Sequence, residues 1–205
     1  MPPKAPKGEY IETDTGNKVS RRSQVHGTQH IILGGKTVIQ GDVCIRGDLY
    51  RQHTSSSSTS SAADGGSSSS APGSSSSVAV SVGRYTYLSR GCLLRPPSRL
   101  HRGVHCFFPL KIGEHVFVGE NTVVEAASVG NHVHIGRDAV VGAMAILKDY
   151  VVVLDGAVVP AGMVVPSFCV VGGQPARVVG EVGEGYGMEG AEGGLARERY
   201  RMVGR

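Results

Sequence analysis

Ile112-Gly113-Glu114-His115-Val116-Phe117-Val118-Gly119-Glu120-Asn121-Thr122-Val123-Val124 opens a stretch, continuing to Val171, that carries one aliphatic residue every six positions. The ladder is Ile112, Val118, Val124, Val129, Ile135, Val141, Leu147, Val153, Val159, Val165 and Val171. One interval is five residues, through Val124-Glu125-Ala126-Ala127-Ser128. Gly stands directly after many of the ladder residues, as in Gly113, Gly119, Gly130, Gly136 and Gly142. Four positions on stands a small or β-branched residue: Val116, Thr122, Val133, Ala139, Ala145, Val151 and Ala157. A fixed internal period of this kind is the signature of a repeat architecture.

Strand geometry turns the period into a fold. Side chains of a strand alternate between its two faces. A chain that bends every six residues closes three short strands into a triangular coil of about eighteen residues, a parallel β-helix. The aliphatic residue then points inward and stacks on its equivalent in the next coil. The small residue also faces in, close to a corner. Gly after the aliphatic residue is expected to serve that corner by accepting positive φ. A Val- and Gly-rich sandwich would alternate with period two between irregular turns and would not hold phase six.

The same pattern extends toward the N-terminus. Leu33, Ile39 and Ile45 are six apart, as are Val82, Leu88 and Leu94. Val19, Val25 and Ile31 are six apart but out of phase with the ladder from Leu33 onward, which predicts an irregular starter coil over Tyr10–Ile31. Residues 51–77 are Ser-rich and cannot bury enough apolar surface to offset the entropy of ordering. They read as a disordered insertion, as residues 1–8 read as a disordered tail. The repeat breaks again at Arg95-Pro96-Pro97, so residues 98–111 are expected to form a loop. Phe107 and Phe108 on it pack over the coils or against a partner. The β-helix domain is therefore expected over residues 9–180. Residues 181–205 form a Gly/Glu-rich tail, in which Leu195 to Val203 is a candidate short helix that packs on the coils or caps the last one.

Composition narrows the functional classes. The chain has 205 residues, no Trp and a formal net charge of +4. Basic residues at the two ends, such as Lys4, Lys7, Arg201 and Arg205, contribute to that charge, and no basic patch interleaved with aromatic residues supports nucleic-acid binding. Cys44, Cys92, Cys106 and Cys169 show no metal-ligand spacing. Cys92 occupies a small inward position and reads as a buried thiol. Met1-Pro2-Pro3-Lys4 does not resemble a signal peptide, and Val151 to Val165 is too short and too interrupted to span a bilayer. The expectation is a cytosolic protein with reduced thiols.

Few residues invite a chemical role. Gly34-Gly35-Lys36-Thr37 resembles the end of a phosphate-binding loop, but His30 stands where the full motif needs Gly. His101, His105, His115, His132 and His134 lie near one another in sequence, and a catalytic zinc site needs three ligands and an open position. His132 and His134 flank the inward Val133, so both side chains point outward or lie at a corner.

The repeat resembles the hexapeptide-repeat superfamily, whose coils are left-handed and whose members include acyltransferases and γ-class carbonic anhydrases. Ile45-Arg46-Gly47-Asp48, the five-residue Val124–Ser128 unit and Gly173-Gln174-Pro175-Ala176 are similar to the γ-carbonic anhydrase group. That group binds zinc through three histidines at the interfaces of a trimer. The matching positions here are Arg95, Glu120 and Glu125, none of them His. An acyltransferase would need a general base, usually His, and His105 is the one obvious candidate.

A closer resemblance covers residues 9 to about 180, apart from the Ser-rich insertion. Glu9-Tyr10-Ile11-Glu12-Thr13, Gly16-Asn17-Lys18-Val19-Ser20-Arg21, Gly35-Lys36-Thr37, Ile45-Arg46-Gly47-Asp48-Leu49, Arg95-Pro96-Pro97, Phe107-Phe108-Pro109-Leu110 and Val164-Val165-Pro166 resemble the dynactin subunit 5 family. The resemblance implies a non-enzymatic component of the pointed-end complex of dynactin, without a cofactor. It implies contacts with dynactin subunit 6, dynactin subunit 4 and actin-related protein 11. It also implies a cytoplasmic role in dynein-driven transport along microtubules, including endosome attachment. A γ-carbonic-anhydrase-like zinc enzyme and a hexapeptide acyltransferase are the alternatives.

Overall fold

A computed structural model describes residues 9–50, 78–101, 104–183 and 199–203. The expected tail over 1–8 and the Ser-rich insertion over 51–77 lie outside the described residues. The chain winds into a left-handed parallel β-helix of six turns with three faces. The first face stacks Lys18–Ser20, Val38–Ile39, Tyr87–Leu88, Phe117–Val118, His134–Ile135, Val152–Val153 and Cys169–Gly173 in parallel. The second stacks Gln24–His26, Cys44–Arg46, Leu93–Leu94, Val123–Val124, Val140–Val141 and Val158–Val159. The third stacks Ile31–Leu33, Val80–Val82, Leu110–Ile112, Ser128–Val129, Ile146–Leu147 and Val164–Val165.

Register obeys the aliphatic ladder. Ile39 pairs with Leu88, Leu88 with Val118, Val118 with Ile135, Ile135 with Val153 and Val153 with Val171 down the first face. Ile45, Leu94, Val124, Val141 and Val159 do the same on the second, and Leu33, Val82, Ile112, Val129, Leu147 and Val165 on the third. Every ladder residue from Ile39 onward is buried, while Leu33 packs against the core with part of its surface exposed. Leu33 belongs to the first turn, which has a coil on one side only. Each buried aliphatic side chain stabilises by about 1.5–3 kcal/mol. Three inward positions hold Thr, and their hydroxyls stay satisfied. Thr86 Oγ1 donates to the carbonyls of Gly83 and Gly113 at 3.1 and 3.2 Å, and Thr122 Oγ1 donates to Gly136 O at 2.8 Å.

The glycines after the ladder work differently from the expectation. Positive φ falls three residues after the aliphatic residue, at Lys36, Tyr85, His115, Asn121, His132, Asp138, Met144, Tyr150 and Phe168, none of them Gly, and at Gly91, Gly156 and Gly162. At Gly83, Gly113, Gly119 and Gly136 the constraint is the next coil instead. A Cβ at Gly83 would lie 2.3 Å from Gly113 O, and one at Gly119 would lie 2.5 Å from the Gly136 carbonyl carbon. Backbones one coil apart meet there with no room for a side chain.

Two further expectations are corrected. The starter over Tyr10–Ile31 is not irregular in stacking: Val19 pairs with Ile39 and Val25 with Ile45. A single 3-10 turn, Thr28–His30, adds two residues before Leu33, and that displacement hides the phase. The segment 98–111 is not a loop. Ser98–His101 and Val104–Phe107 form an antiparallel hairpin, and Leu110–Ile112 rejoins the third face. Of the candidate helix over residues 195–203, residues 195–198 lie outside the described residues; residues 199–202 are helical and, with Val203, pack on the coils at the first face, one of the two placements expected. The ends of the first face are flanked by antiparallel strands from the chain itself, Tyr10–Glu12 beside Lys18–Ser20 and Ala176–Glu181 beside Cys169–Gly173.

All departures from period six fall at one corner, between the second and third faces. Val25 and Leu33 are eight apart, Ile45 and Val82 thirty-seven, Leu94 and Ile112 eighteen, Val124 and Val129 five. The two other corners keep six throughout.

Candidate functional site

The fold brings two of the three candidate ligand positions into contact and places the third at another corner. Arg95 and Glu125 each come directly after a second-face strand, one coil apart, and form an ion pair with Nη1 3.3 Å from Oε1. Glu120 lies at the corner between the first and second faces. A guanidinium carries no lone pair for a metal, and its partner carboxylate already faces a cation. This pair is half exposed, so its contribution to stability is small, about 0–1 kcal/mol. Its chemistry is that of a rivet between coils. Among the described residues, no group of three His, Cys, Asp or Glu side chains is placed to hold a metal ion.

The histidines also separate. The strands carrying His101 and His105 belong to the hairpin, His134 points out of the first face, and His115 and His132 occupy the corner between the third and first faces. That corner holds a column that sequence reading missed. Tyr85, His115, His132, Tyr150 and Phe168 stack ring on ring, with centroids 5.0, 4.8, 4.9 and 4.9 Å apart and interplanar angles of 12° or less. The spacing is that of neighbouring strands. Each ring leaves the backbone from an equivalent left-handed residue, so the rings are parallel by construction. Lys36 begins the column, its Nζ 3.0 Å from Tyr85 Oη. The signal was available: the residue three positions after each third-face ladder residue is Lys36, Tyr85, His115, His132, Tyr150 and Phe168 in turn, a Lys followed by five rings.

Backbone N–H groups at the corners are taken by carboxylates and amides of the next coil. Asn131 Oδ1 accepts from Glu114 N at 2.9 Å, Asp149 Oδ1 from Asn131 N at 2.6 Å and Asp155 Oδ1 from Arg137 N at 2.7 Å. The backbone N–H of Arg137, helped by its guanidinium, holds the Asp155 carboxyl below the usual carboxylate range. The Arg46-Gly47-Asp48 triplet is internally paired, with Arg46 Nε and Nη2 donating to the two Asp48 oxygens at 2.8 and 2.7 Å. That contact lowers the Asp48 pKa. Burial pushes the Cys92 thiol up to about 12, as an inert core residue requires.

The first face carries an outward aromatic strip. Val38, Tyr87 and Phe117 precede successive ladder residues and form a second apolar cluster, against which Tyr200 and Val203 pack. Tyr87 and Phe117 stack at 5.7 Å, and Phe117 and His134 at 4.8 Å. The Arg199 guanidinium lies 4.2 Å from the Phe117 ring centroid. Lys18 Nζ donates to the carbonyls of Tyr200, at 3.0 Å, and Val203. Tyr200 Oη donates to Gly16 O at 2.7 Å. Burial raises the pKa of Tyr87, and that of Tyr200 too. Among the described residues no helix is long and apolar enough to cross a membrane.

The three stacked faces, the inward aliphatic ladder and the left-handed corners define a hexapeptide-repeat protein. Comparison with solved structures agrees. The chain is similar to a hexapeptide transferase family protein from Anaplasma phagocytophilum, with TM-score 0.58, 17% identity, and 91% of this chain and 90% of that chain covered. It is also similar to a mutant of AntD, an N-acyltransferase from Bacillus cereus in complex with dTDP and coenzyme A, with TM-score 0.59, 11% identity, and coverage of 91% and 89%. At these identities the likeness is one of fold. The family model described as dynactin subunit 5 matches residues 4–61 and 74–188. A dynactin subunit 5 from Dictyostelium discoideum is 36% identical over 122 residues, 60% of this chain and 48% of that relative. The chain belongs to the dynactin subunit 5 family, and its match spans about half the length of this curated relative.

Proposed function

We propose that this chain is a non-catalytic structural subunit of dynactin, placed in the pointed-end complex beside dynactin subunit 6, dynactin subunit 4 and actin-related protein 11. In that role it supports dynein-driven transport along microtubules and the attachment of cargo, endosomes included, from the cytoplasm. The observation that carries the reading is the family match over both parts of the β-helix, on either side of the Ser-rich insertion. The Arg95–Glu125 ion pair supports it, because related zinc enzymes would hold ligands where this chain spends its side chains on each other. The fold also supports it: a prism whose regular corners carry fixed columns of side chains, a surface suited to a partner.

Native purification of the tagged full-length chain followed by mass spectrometry tests the proposal. Recovery of the other pointed-end subunits is expected. Recovery of no dynactin subunit would sink it. The acyltransferase reading draws on the fold likeness to coenzyme A-bound enzymes. It predicts acetyl-CoA binding by calorimetry, and absence of heat would remove it.

A further inference from the structure

The residues 199–203 and the strip beneath them form a receptor and an occupant within one chain. A single helical turn is not stable alone, because nucleation costs more than one hydrogen bond returns. Here the turn is ordered by the face it touches. Tyr200 and Val203 lie on Val38, Tyr87 and Phe117, Arg199 covers the Phe117 ring, and Lys18 takes the carbonyls of Tyr200 and Val203 at the end of the turn. The receptor side comes from consecutive coils of the rigid β-helix and does not depend on the tail for its shape. It also continues past the tail. A groove of about 370 Å³ runs on from Arg199 and Phe117 past Glu120 and His134 to the Arg137–Asp155 ion pair.

We propose that this strip is a docking site for a partner's helical turn of the tail's own chemistry: a basic residue directly before an aromatic one, and an aliphatic residue three positions after it. The tail is then the intramolecular competitor that keeps the strip covered until such a segment arrives. The chemistry is read from the seated tail: an aromatic ring for the apolar strip, a guanidinium for the Phe117 face, and a helix end for Lys18. Among the described residues, Tyr200 and Val203 are the apolar side chains of the tail that pack on the strip, a small contact for a partner to displace. A tethered segment competes at an effective concentration of about 1 mM, so a partner of moderate affinity reaches the strip.

The test uses the full chain and a fluorescent peptide of residues 195–205. An opened variant carries Tyr200→Ser and Val203→Ser, both on the tail and outside the coils, so the β-helix is retained. Fluorescence anisotropy is expected to give binding to the opened variant with Kd of about 100 µM and binding to the unaltered chain about tenfold weaker, the ratio set by tethered competition. Phe117→Leu in the opened background keeps the strip apolar but removes the ring under the cation, and is expected to weaken the peptide about threefold. Lys18→Gln serves the same purpose from a polar position outside the core should Phe117→Leu fail to fold. No binding to the opened variant overturns the proposal. Equal affinity for the opened and unaltered chains overturns it too, because the tail would then not be covering the site.

Discussion

Replacing Gly119 by Ala separates two explanations for the glycines that stand after the ladder residues. Were they needed only for positive φ, Gly119 would be dispensable, because its backbone is not in that region. The structure assigns it a contact. A Cβ at Gly119 would stand 2.5 Å from the Gly136 carbonyl carbon and 2.6 Å from Arg137 N. Ordinary contact lies near 3.4 Å, so the two coils must part by nearly an ångström at that point. The bonds holding them are Gly119 N to Ile135 O and Asp138 N to Glu120 O, both 2.8 Å. Parting by that much takes both beyond hydrogen-bond length. Two such bonds contribute about 1 kcal/mol each, and overpacking adds about 1–3 kcal/mol. The stiffer unfolded chain returns about 0.4–1 kcal/mol. The net expectation is a loss of about 2–4 kcal/mol. Gly156 is the control: φ is +67° and nothing lies within 4 Å of its Cβ position, so Gly156→Ala should cost only the left-handed strain, about 1 kcal/mol after the same entropy gain. Urea unfolding followed by far-UV circular dichroism measures both. A Gly119→Ala variant within about 0.5 kcal/mol of the parent, or one less costly than Gly156→Ala, would refute the close-approach argument.

Three other outcomes are expected. His132→Ala removes two ring stacks yet keeps a Cβ at φ 53°, and should cost about 1–2 kcal/mol; His132→Gly should cost about 1 kcal/mol less, measured by the same unfolding assay. Asp155→Asn tests the corner carboxylate. Its folded pKa is lowered, so its stabilising effect is present above the unfolded value near pH 4 and is lost as pH falls through the folded value. The melting temperature of the parent should exceed that of Asp155→Asn at neutral pH, and the gap should close as the pH falls through the lowered folded value. Cys92, fully buried and with its pKa pushed up to about 12, should resist alkylation in the folded chain at about pH 8 and react once the chain is unfolded in urea, as peptide mapping would show.

The ladder was legible because burial alone sets it: each ladder position excludes polar side chains, and Ile39 through Val171 repeat that demand coil after coil. The second inward position is less strict and admits Thr86 and Thr122, since their hydroxyls return to corner carbonyls. The first turn was not legible. Thr28–His30 shifts the count by two, and Ile31 at six residues from Val25 mimics the ladder while Leu33 occupies it. The hairpin over Ser98–Phe107 was hidden because its strands mix Arg and His with Leu and Val and show no clean alternation. The candidate ligand positions could be judged from identity, since Arg95 rules itself out, but their pairing required coordinates. The ring column and the aromatic strip depend on which residues stack in space one coil away, at sequence separations that change wherever a turn is lengthened. His115 and His132 are seventeen residues apart, Tyr85 and His115 thirty. A fixed eighteen-residue frame therefore misses them.

Confining every change in turn length to one corner has a consequence for how this chain tolerates alteration. Two edges of the prism act as the metre, and the third as a port where sequence is gained or lost without resetting the register. An affinity tag or a reporter domain exchanged for residues 51–77 should emerge from the same edge as the hairpin. The ring column and the aromatic strip, which lie on the other side of the prism, would stay unobstructed. The same insert placed two coils later, at a corner that keeps strict period six, would break the ladder on both sides of it.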